Sequence, residues 1–341
     1  MTTLPAQPVH PRPAALLAMD PALTADVLPL DLLERLGAVT ELAPGPAVTD
    51  FAAAPEALAR TELLITCWGC PPIDASVLAA APRLKAVVHA AGSVKDAVAS
   101  SRVWERGIVV SSAAAANARP VAQFTLATVL LAGKRAFPLA AAYPQQGFRA
   151  YPTSADTGNH GRTVGVVGAS RIGRLVLDML RPHGFRLLVT DPYLDPAQAR
   201  ELGAELMPLD ELMATADTVT LHAPLLPGTR RMIDARRLGL MKNGAVLINT
   251  ARGALVDTDA LVAACTDGRI DAVLDVVEPE PLPGDHPLFA LPNVFVTPHI
   301  AGALGSELRL LGEFAVREAE RWAAGEPLAG QVHADDLERI A

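Results

Sequence analysis

The stretch Gly165-Val-Val-Gly168-Ala-Ser170-Arg171-Ile172-Gly173 decides the reading of the chain. TVGVVG is an apolar, β-forming run, and RIGRLVLDML directly after it places Ile172, Leu175, Val176 and Met179 at helical spacing. A strand, a tight glycine turn and a helix N-terminus build an anion site from free N–H groups and the positive end of the helix dipole. Gly168-x-Ser170-x-x-Gly173 follows the dinucleotide fingerprint G-x-G-x-x-G except at its centre, where the backbone comes closest to the phosphates and serine stands. Such a motif alone is a weak signal. The next apolar run, RLLVTDP, adds an independent one by ending in Asp191, eighteen residues beyond Gly173. A carboxylate there accepts hydrogen bonds from the adenosine ribose hydroxyls and repels a 2′-phosphate, so NAD is expected rather than NADP. Gly168, Ser170, Arg171, Ile172 and Gly173 are expected at the pyrophosphate. Serine is small, and its hydroxyl can donate to a pyrophosphate oxygen while Arg171 covers the outer side.

Outward from this turn, apolar runs alternate with helical patterns. Strands are expected at 163–168, 186–190, 218–222, 245–249, 271–276 and 293–297, with helices between most of them. The N-terminal third has the same rhythm: AALLAM, AVTEL, ELLIT, KAVVHA and GIVVSS read as strands, LDLLERLG, APEALAR, DASVLAAA and VKDAVAS as helices. Residues 117–134 form a long apolar helix whose Gln123, Thr125 and Thr128 favour a buried interdomain or subunit position over a membrane span. The proline-bearing stretch 137–161 reads as an irregular connector, and 306–324 as a helix that could pack back on the first domain. Together these predict an α/β chain of two doubly wound parallel-sheet domains. A Rossmann NAD-binding domain occupies 114–303, and a discontinuous flavodoxin-like substrate domain takes 1–113 plus 304–341.

Bulk properties agree. A chain of 341 residues is long for one core, and with 50% hydrophobic and 19% charged residues it describes buried globular domains, not disorder. A net charge of -8 argues against nucleic-acid binding, and the pairs Arg230-Arg231 and Arg236-Arg237 read as solvated helix faces. No membrane segment and no signal peptide are expected, the N-terminus being proline-broken. Three cysteines fit a reducing cytoplasm better than a disulfide framework. Cys67-Trp68-Gly69-Cys70 reads as a turn at a strand end, and with Cys265 alone elsewhere no metal site is expected.

His222, Arg252, Asp275 and His299 each follow a predicted parallel strand. The carboxyl ends of such strands line one crevice, so groups distant in sequence converge there. A structural explanation is easy for one buried histidine and strained for the whole set.

INTARG (248–253), LDVVEPEPL (274–282), TPHIAG (297–302) and LHAPLLPGTRRMI (221–233) resemble, in order and interval, the signature blocks of the D-isomer-specific 2-hydroxyacid dehydrogenases. The likeness is close from about Asn117 to Gly302 and looser before, where LKAVVHAAGSVKDAV (84–98) is similar to the family's substrate loop. The resemblance implies a hydride transfer between NAD(H) and a D-2-hydroxy acid/2-oxo acid pair. It implies His299 as acid/base, Glu280 as the carboxylate that orients it, and Arg252 as the clamp on the substrate carboxylate. A histidine suits proton transfer in both directions, and a planar, permanently charged guanidinium suits a carboxylate. It also implies Ala91, Gly92 and Ser93 at the substrate carboxylate. Asp275 falls near the nicotinamide end, and His222, Ala223 and Pro224 in a loop lining the cofactor cleft, with Thr250 and Ala251 among the cofactor contacts. A cytoplasmic homodimer acting on a small-molecule acid, joined through the 121–133 region, completes the implication. The chain departs from the pattern at Ser93-Val94-Lys95-Asp96, where a polar pair is usual, and at Gln123, where glutamate is common. At 341 residues, the regulatory domain that some phosphoglycerate-oxidising relatives append is not expected. Two other readings stay open: a non-catalytic NAD-binding regulator on the same scaffold, and a dehydrogenase of an unusual donor such as formate or phosphite.

Overall fold

The computed structural model describes residues 12–95, 97–147 and 157–338, which cluster into two compact units. The first takes the described residues up to Asn117 together with Gly305–Leu337, and the second takes Ala118–Leu304.

Along the chain the first unit runs β1 (Ala14–Ala18), α1 (Pro21–Val27), α2 (Leu30–Val39), β2 (Glu41–Leu42), α3 (Pro55–Arg60), β3 (Leu63–Thr66), α4 (Ala75–Ala80), β4 (Ala86–His89), α5 (Arg102–Glu105) and β5 (Val109–Ser112). Helix α6 (Ala114–Gly133) carries the chain into the second unit. There α7 (Ala136–Gln146), β6 (Thr163–Val167), α8 (Arg171–Leu180), β7 (Arg186–Thr190), α9 (Pro196–Glu201), β8 (Glu205–Leu206) and α10 (Leu209–Thr215) follow. The second unit closes with β9 (Thr218–Leu221), α11 (Ala235–Leu240), β10 (Ala245–Asn249), α12 (Thr258–Thr266), β11 (Ile270–Leu274) and β12 (Val294–Val296). Helix α13 (Leu308–Ala323) and β13 (Gln331–Val332) then return to the first unit.

The first sheet has the order β2-β1-β3-β4-β5, all parallel, with β13 added antiparallel beyond β5. Strands β3 and β4 are buried along their whole length, which is why LLIT and AVVH read as unbroken apolar runs. Helix α13 packs on α1 and α2 of this unit, joined by the ion pairs Arg309–Asp31 and Arg35–Glu320. Buried Glu318 of α13 accepts from Ser111 Oγ and from the N–H groups of Ala329 and Gly330 at 2.9 and 3.1 Å, seating β13 against β5.

The second sheet is wholly parallel, in the order β8-β7-β6-β9-β10-β11-β12. Its order reverses between β6 and β9, the place where an open α/β sheet binds its ligand. Among the described residues no single helix is long and apolar enough to cross a membrane; α6 and α7 are bent by 50° at their junction.

Four local expectations need correction. VKDAVAS does not form a helix among its described residues, Asp96 lying outside them: Val98 N–H takes the carbonyl of Val94 at 2.8 Å in a single turn, and the Ala97 carbonyl accepts from Ile73 N–H of a neighbouring loop at 2.8 Å. Val94, Ala97 and Val98 are all buried, which mimics helical spacing. AVTEL is mostly the end of α2, with only Glu41 and Leu42 in strand. The supposed connector begins with the helix α7, since Pro138 falls in its first turn, where its missing N–H has no intrahelical partner to lose; Phe137 there stacks on Phe295 at 4.5 Å. Residues 148–156 lie outside the described residues. Arg230 and Arg231 occupy a turn, not a helix, whereas Arg236 and Arg237 on α11 clamp Asp210, whose carboxyl their hydrogen bonds hold down to about 2.

Candidate active site

The glycine turn follows β6 at the reversal of the second sheet. Gly168 has φ +95°, and a Cβ there would lie 2.7 Å from the backbone nitrogen of Ala223. A Cβ on Gly173 would stand 2.0 Å from the carbonyl oxygen of Gly168. Both positions therefore demand glycine. Ser170 does not: its φ of -61° and ψ of 177° are open to any residue, and it is the N-cap of α8, its Oγ accepting from Gly173 N–H at 3.3 Å. The hydroxyl proton stays available to a ligand. Arg171 and Ile172 open the helix.

Asp191, at the end of β7, bends back on this turn. Its Oδ2 accepts from Ala169 N–H at 2.7 Å and its Oδ1 from Tyr193 N–H at 2.8 Å. The carboxylate thus fixes the turn. The His222 ring is buried, with Nε2 2.9 Å from Thr220 Oγ1 and Nδ1 without a hydrogen-bond partner. Burial pushes its pKa down to about 3 and keeps the ring neutral. What the loop offers Gly168 is the backbone of His222 and Ala223.

At the end of β10 the Asn249 side chain closes a turn, donating to the Arg252 carbonyl at 2.9 Å and accepting from Ala251 N–H at 3.1 Å. Thr250 is buried, its Oγ1 3.0 Å from that of Thr125. Arg252 is half-buried and donates to the Ala251 carbonyl at 2.7 Å; it makes no ion pair among the described residues.

Asp275, just after β11, is 2% exposed and its carboxylate is fully engaged. Oδ1 accepts from Thr297 Oγ1 at 2.6 Å and from Ile300 N–H at 2.8 Å, and Oδ2 accepts from Ala301 N–H at 2.9 Å. It is the anchor of the 297–301 loop, a role that the sequence alone does not indicate. His299 sits in that loop at φ +56°, with its N–H donating to the Asp275 carbonyl at 3.0 Å. Its Nδ1 is 2.6 Å from Glu280 Oε1. The side chains are 53% and 42% exposed, so the pair is open to a small ligand. Glu278, the other acid of the EPEP loop, pairs with Arg230 and offers its carbonyl to Thr258 Oγ1 at 2.8 Å. Asn249, Thr297, Arg230 and Thr258 are supporting residues that sequence reasoning passed over, although Thr297 lies two positions from His299 and Asn249 three from Arg252.

In the first unit the Ala91–Gly92–Ser93 loop follows β4. Ser112 Oγ donates to the Gly92 carbonyl and accepts from Ala114 N–H at 3.1 Å, tying the loop to the start of α6. Cys67 and Cys70 bracket a turn, and burial raises their thiols to about 11 and about 12. Among the described residues no group of three or more His, Cys, Asp or Glu could hold a metal ion.

A Rossmann sheet with an obligatory glycine turn at its reversal and a carboxylate at the next strand end defines a dinucleotide-binding protein. The model of the "D-isomer specific 2-hydroxyacid dehydrogenase, NAD binding domain" matches residues 126–301, and the chain belongs to that family. The cofactor of this domain is NAD, and Gly168, Ser170, Gly173 and Asp191 fit it. The chain is 42% identical over 256 residues to a D-3-phosphoglycerate dehydrogenase of Mycobacterium bovis, covering 74% of this chain and 48% of that protein. It therefore spans about half the length of the first curated relatives it matches. A glyoxylate reductase of Korarchaeum cryptofilum is 36% identical over 260 residues, 75% of this chain and 78% of that one. The apo structure of Rhodotorula graminis D-mandelate dehydrogenase superposes with a TM-score of 0.80 at 26% identity, over 95% and 98% of the two chains.

Proposed function

We propose that the chain catalyses NAD-dependent interconversion of a 2-oxo acid and its D-2-hydroxy acid. The observation that carries this reading is the His299–Glu280 pair at 2.6 Å, close in sequence to the ends of β11 and β12 in an NAD-binding sheet. With Nδ1–H held by Glu280, Nε2 is the atom of His299 that exchanges a proton with substrate. In reduction it donates to the carbonyl oxygen, and in oxidation it accepts from the hydroxyl. Bound nicotinamide supplies or receives the hydride. Arg252, permanently charged and without an ion pair among the described residues, clamps the substrate carboxylate and polarises the carbonyl.

The reading includes a cytoplasmic homodimer, supported by three free cysteines and by exposed Leu131 and Tyr143 on α6 and α7; light scattering in solution tests the dimer. The function is tested by following NADH oxidation with small 2-oxo acids in wild type, His299→Ala and Arg252→Ala. Turnover by the wild type and its loss in both variants is expected. Undiminished turnover in both variants defeats the residue assignment, and tight NADH binding without any turnover favours a regulator.

A further inference from the structure

Three segments that follow β9, β10 and β11 are tied to one another within the second unit. The turn at 229–233 lies along the segment after β10. Arg231 N–H donates to the Ala254 carbonyl at 2.7 Å, Ile233 N–H to the Leu255 carbonyl at 3.0 Å, and Asp257 N–H to the Ile233 carbonyl at 3.0 Å. The segment after β10 in turn presses on the stretch after β11: a Cβ on Gly253 would stand 2.0 Å from the carbonyl carbon of Val277. Glu278, next in the chain, is held at two points. Its carboxylate takes the Arg230 guanidinium, and its carbonyl accepts from Oγ1 of Thr258, the first residue of α12, at 2.8 Å.

Glu280 stands two residues beyond Glu278, so the Cα atoms of the two acids are at most about 7 Å apart. Its Oε1 is the atom 2.6 Å from His299 Nδ1. Like charges at that spacing lie inside the Debye length, and an uncompensated Glu278 would push on the Glu280 carboxylate. The Arg230–Glu278 pair removes that repulsion. Being open to solvent, it contributes little to stability. What it does instead is neutralise one acid and hold the backbone from which the other reaches the histidine.

We infer that Arg230 is a positioning residue: by holding Glu278 it sets the 278–280 loop so that Glu280 meets His299 Nδ1 and Nε2 is left for proton transfer. This rests on the oxidoreductase reading above. Histidine 15N NMR at about pH 9 is expected to show wild-type His299 as the Nδ1–H tautomer and Arg230→Met as a mixture with the Nε2–H form, because the tautomer follows the bond that the ring makes. The signal is assigned by its loss in His299→Ala. In steady-state kinetics with NADH and glyoxylate, pyruvate or 2-oxoisocaproate, Arg230→Met is expected to lower kcat about tenfold with KM within about twofold, and Arg230→Lys to keep most of kcat. In a Glu280→Gln background the same Arg230→Met change is expected to alter kcat by less than about twofold, since the group through which Arg230 acts is already changed. An unmoved tautomer in Arg230→Met, or an equal loss of kcat in both backgrounds, overturns the inference while leaving the oxidoreductase reading in place. A raised KM at unchanged kcat overturns it too, by assigning Arg230 to attraction of the substrate. Absence of wild-type turnover with all three acids overturns both.

Discussion

His299 Nδ1 lies 2.6 Å from Glu280 Oε1, a contact between two side chains that each remain substantially exposed. In the proposed reaction the carboxylate would orient the ring and stabilise the imidazolium formed when substrate gives up its proton. Glu280→Gln preserves shape and removes charge, so kcat is expected to fall about 100-fold with little change in KM for the oxo acid. Steady-state kinetics check this; a raised KM at unchanged kcat would assign Glu280 to substrate binding instead.

Asp275 holds the loop of His299 through one hydroxyl and two N–H groups, all donating to a buried carboxylate. Asp275→Ala leaves those donors without acceptors and is expected to cost about 3 kcal/mol or more. Asp275→Asn should rescue poorly, because its NH2 group would meet a donor. Urea denaturation reads the loss, and an unchanged midpoint in Asp275→Ala would contradict the anchoring role.

At the glycine turn, Gly173→Ala would set a methyl 2.0 Å from a carbonyl oxygen and should abolish NADH binding. Ser170→Gly forfeits only a cap, worth a few tenths of a kcal/mol, and should bind NADH within about threefold of wild type. Ser170→Val should weaken binding by roughly tenfold. Fluorescence titration with NADH distinguishes the three, and equal affinity of Ser170→Val and wild type would show that the side chain does not face the phosphates.

His222 predicts an acid limb in stability. Its pKa in the folded chain is about 3, against 6.5 for the free side chain, because burial excludes the charged form. The unfolded chain binds a proton that the folded chain refuses. The contribution is therefore complete above about pH 6.5 and is lost as pH falls from there towards 3. Melting temperatures between about pH 7 and about pH 4.5 should fall less steeply in His222→Gln than in wild type; parallel curves would refute the assignment.

The second sheet was legible because its strands are buried runs ending in polar residues: 186–190 and 245–249 coincide with β7 and β10. Asp191 and the glycines announced themselves by spacing. The role of Asp275 was not legible, since a carboxylate at a strand end looks the same whether it meets a ligand or three donors of a loop two dozen residues on. His222 shows a related limit: its place at a strand end is plain in the sequence, whereas the burial of its ring is not. Two-residue strands such as β13 carry no periodicity at all; that one exists because Glu318 offers oxygens to Ala329 and Gly330.

The left-handed backbone of His299 has a consequence for the evolution of the chain. A β-carbon at φ +56° costs on the order of 1 kcal/mol, a cost that glycine avoids and asparagine tolerates. His299→Gly should thus leave a protein that is inert yet folds at least as firmly. With His299 as the proposed acid/base, drift away from function would meet little resistance from the fold at this position, and selection on turnover is what would keep a histidine there.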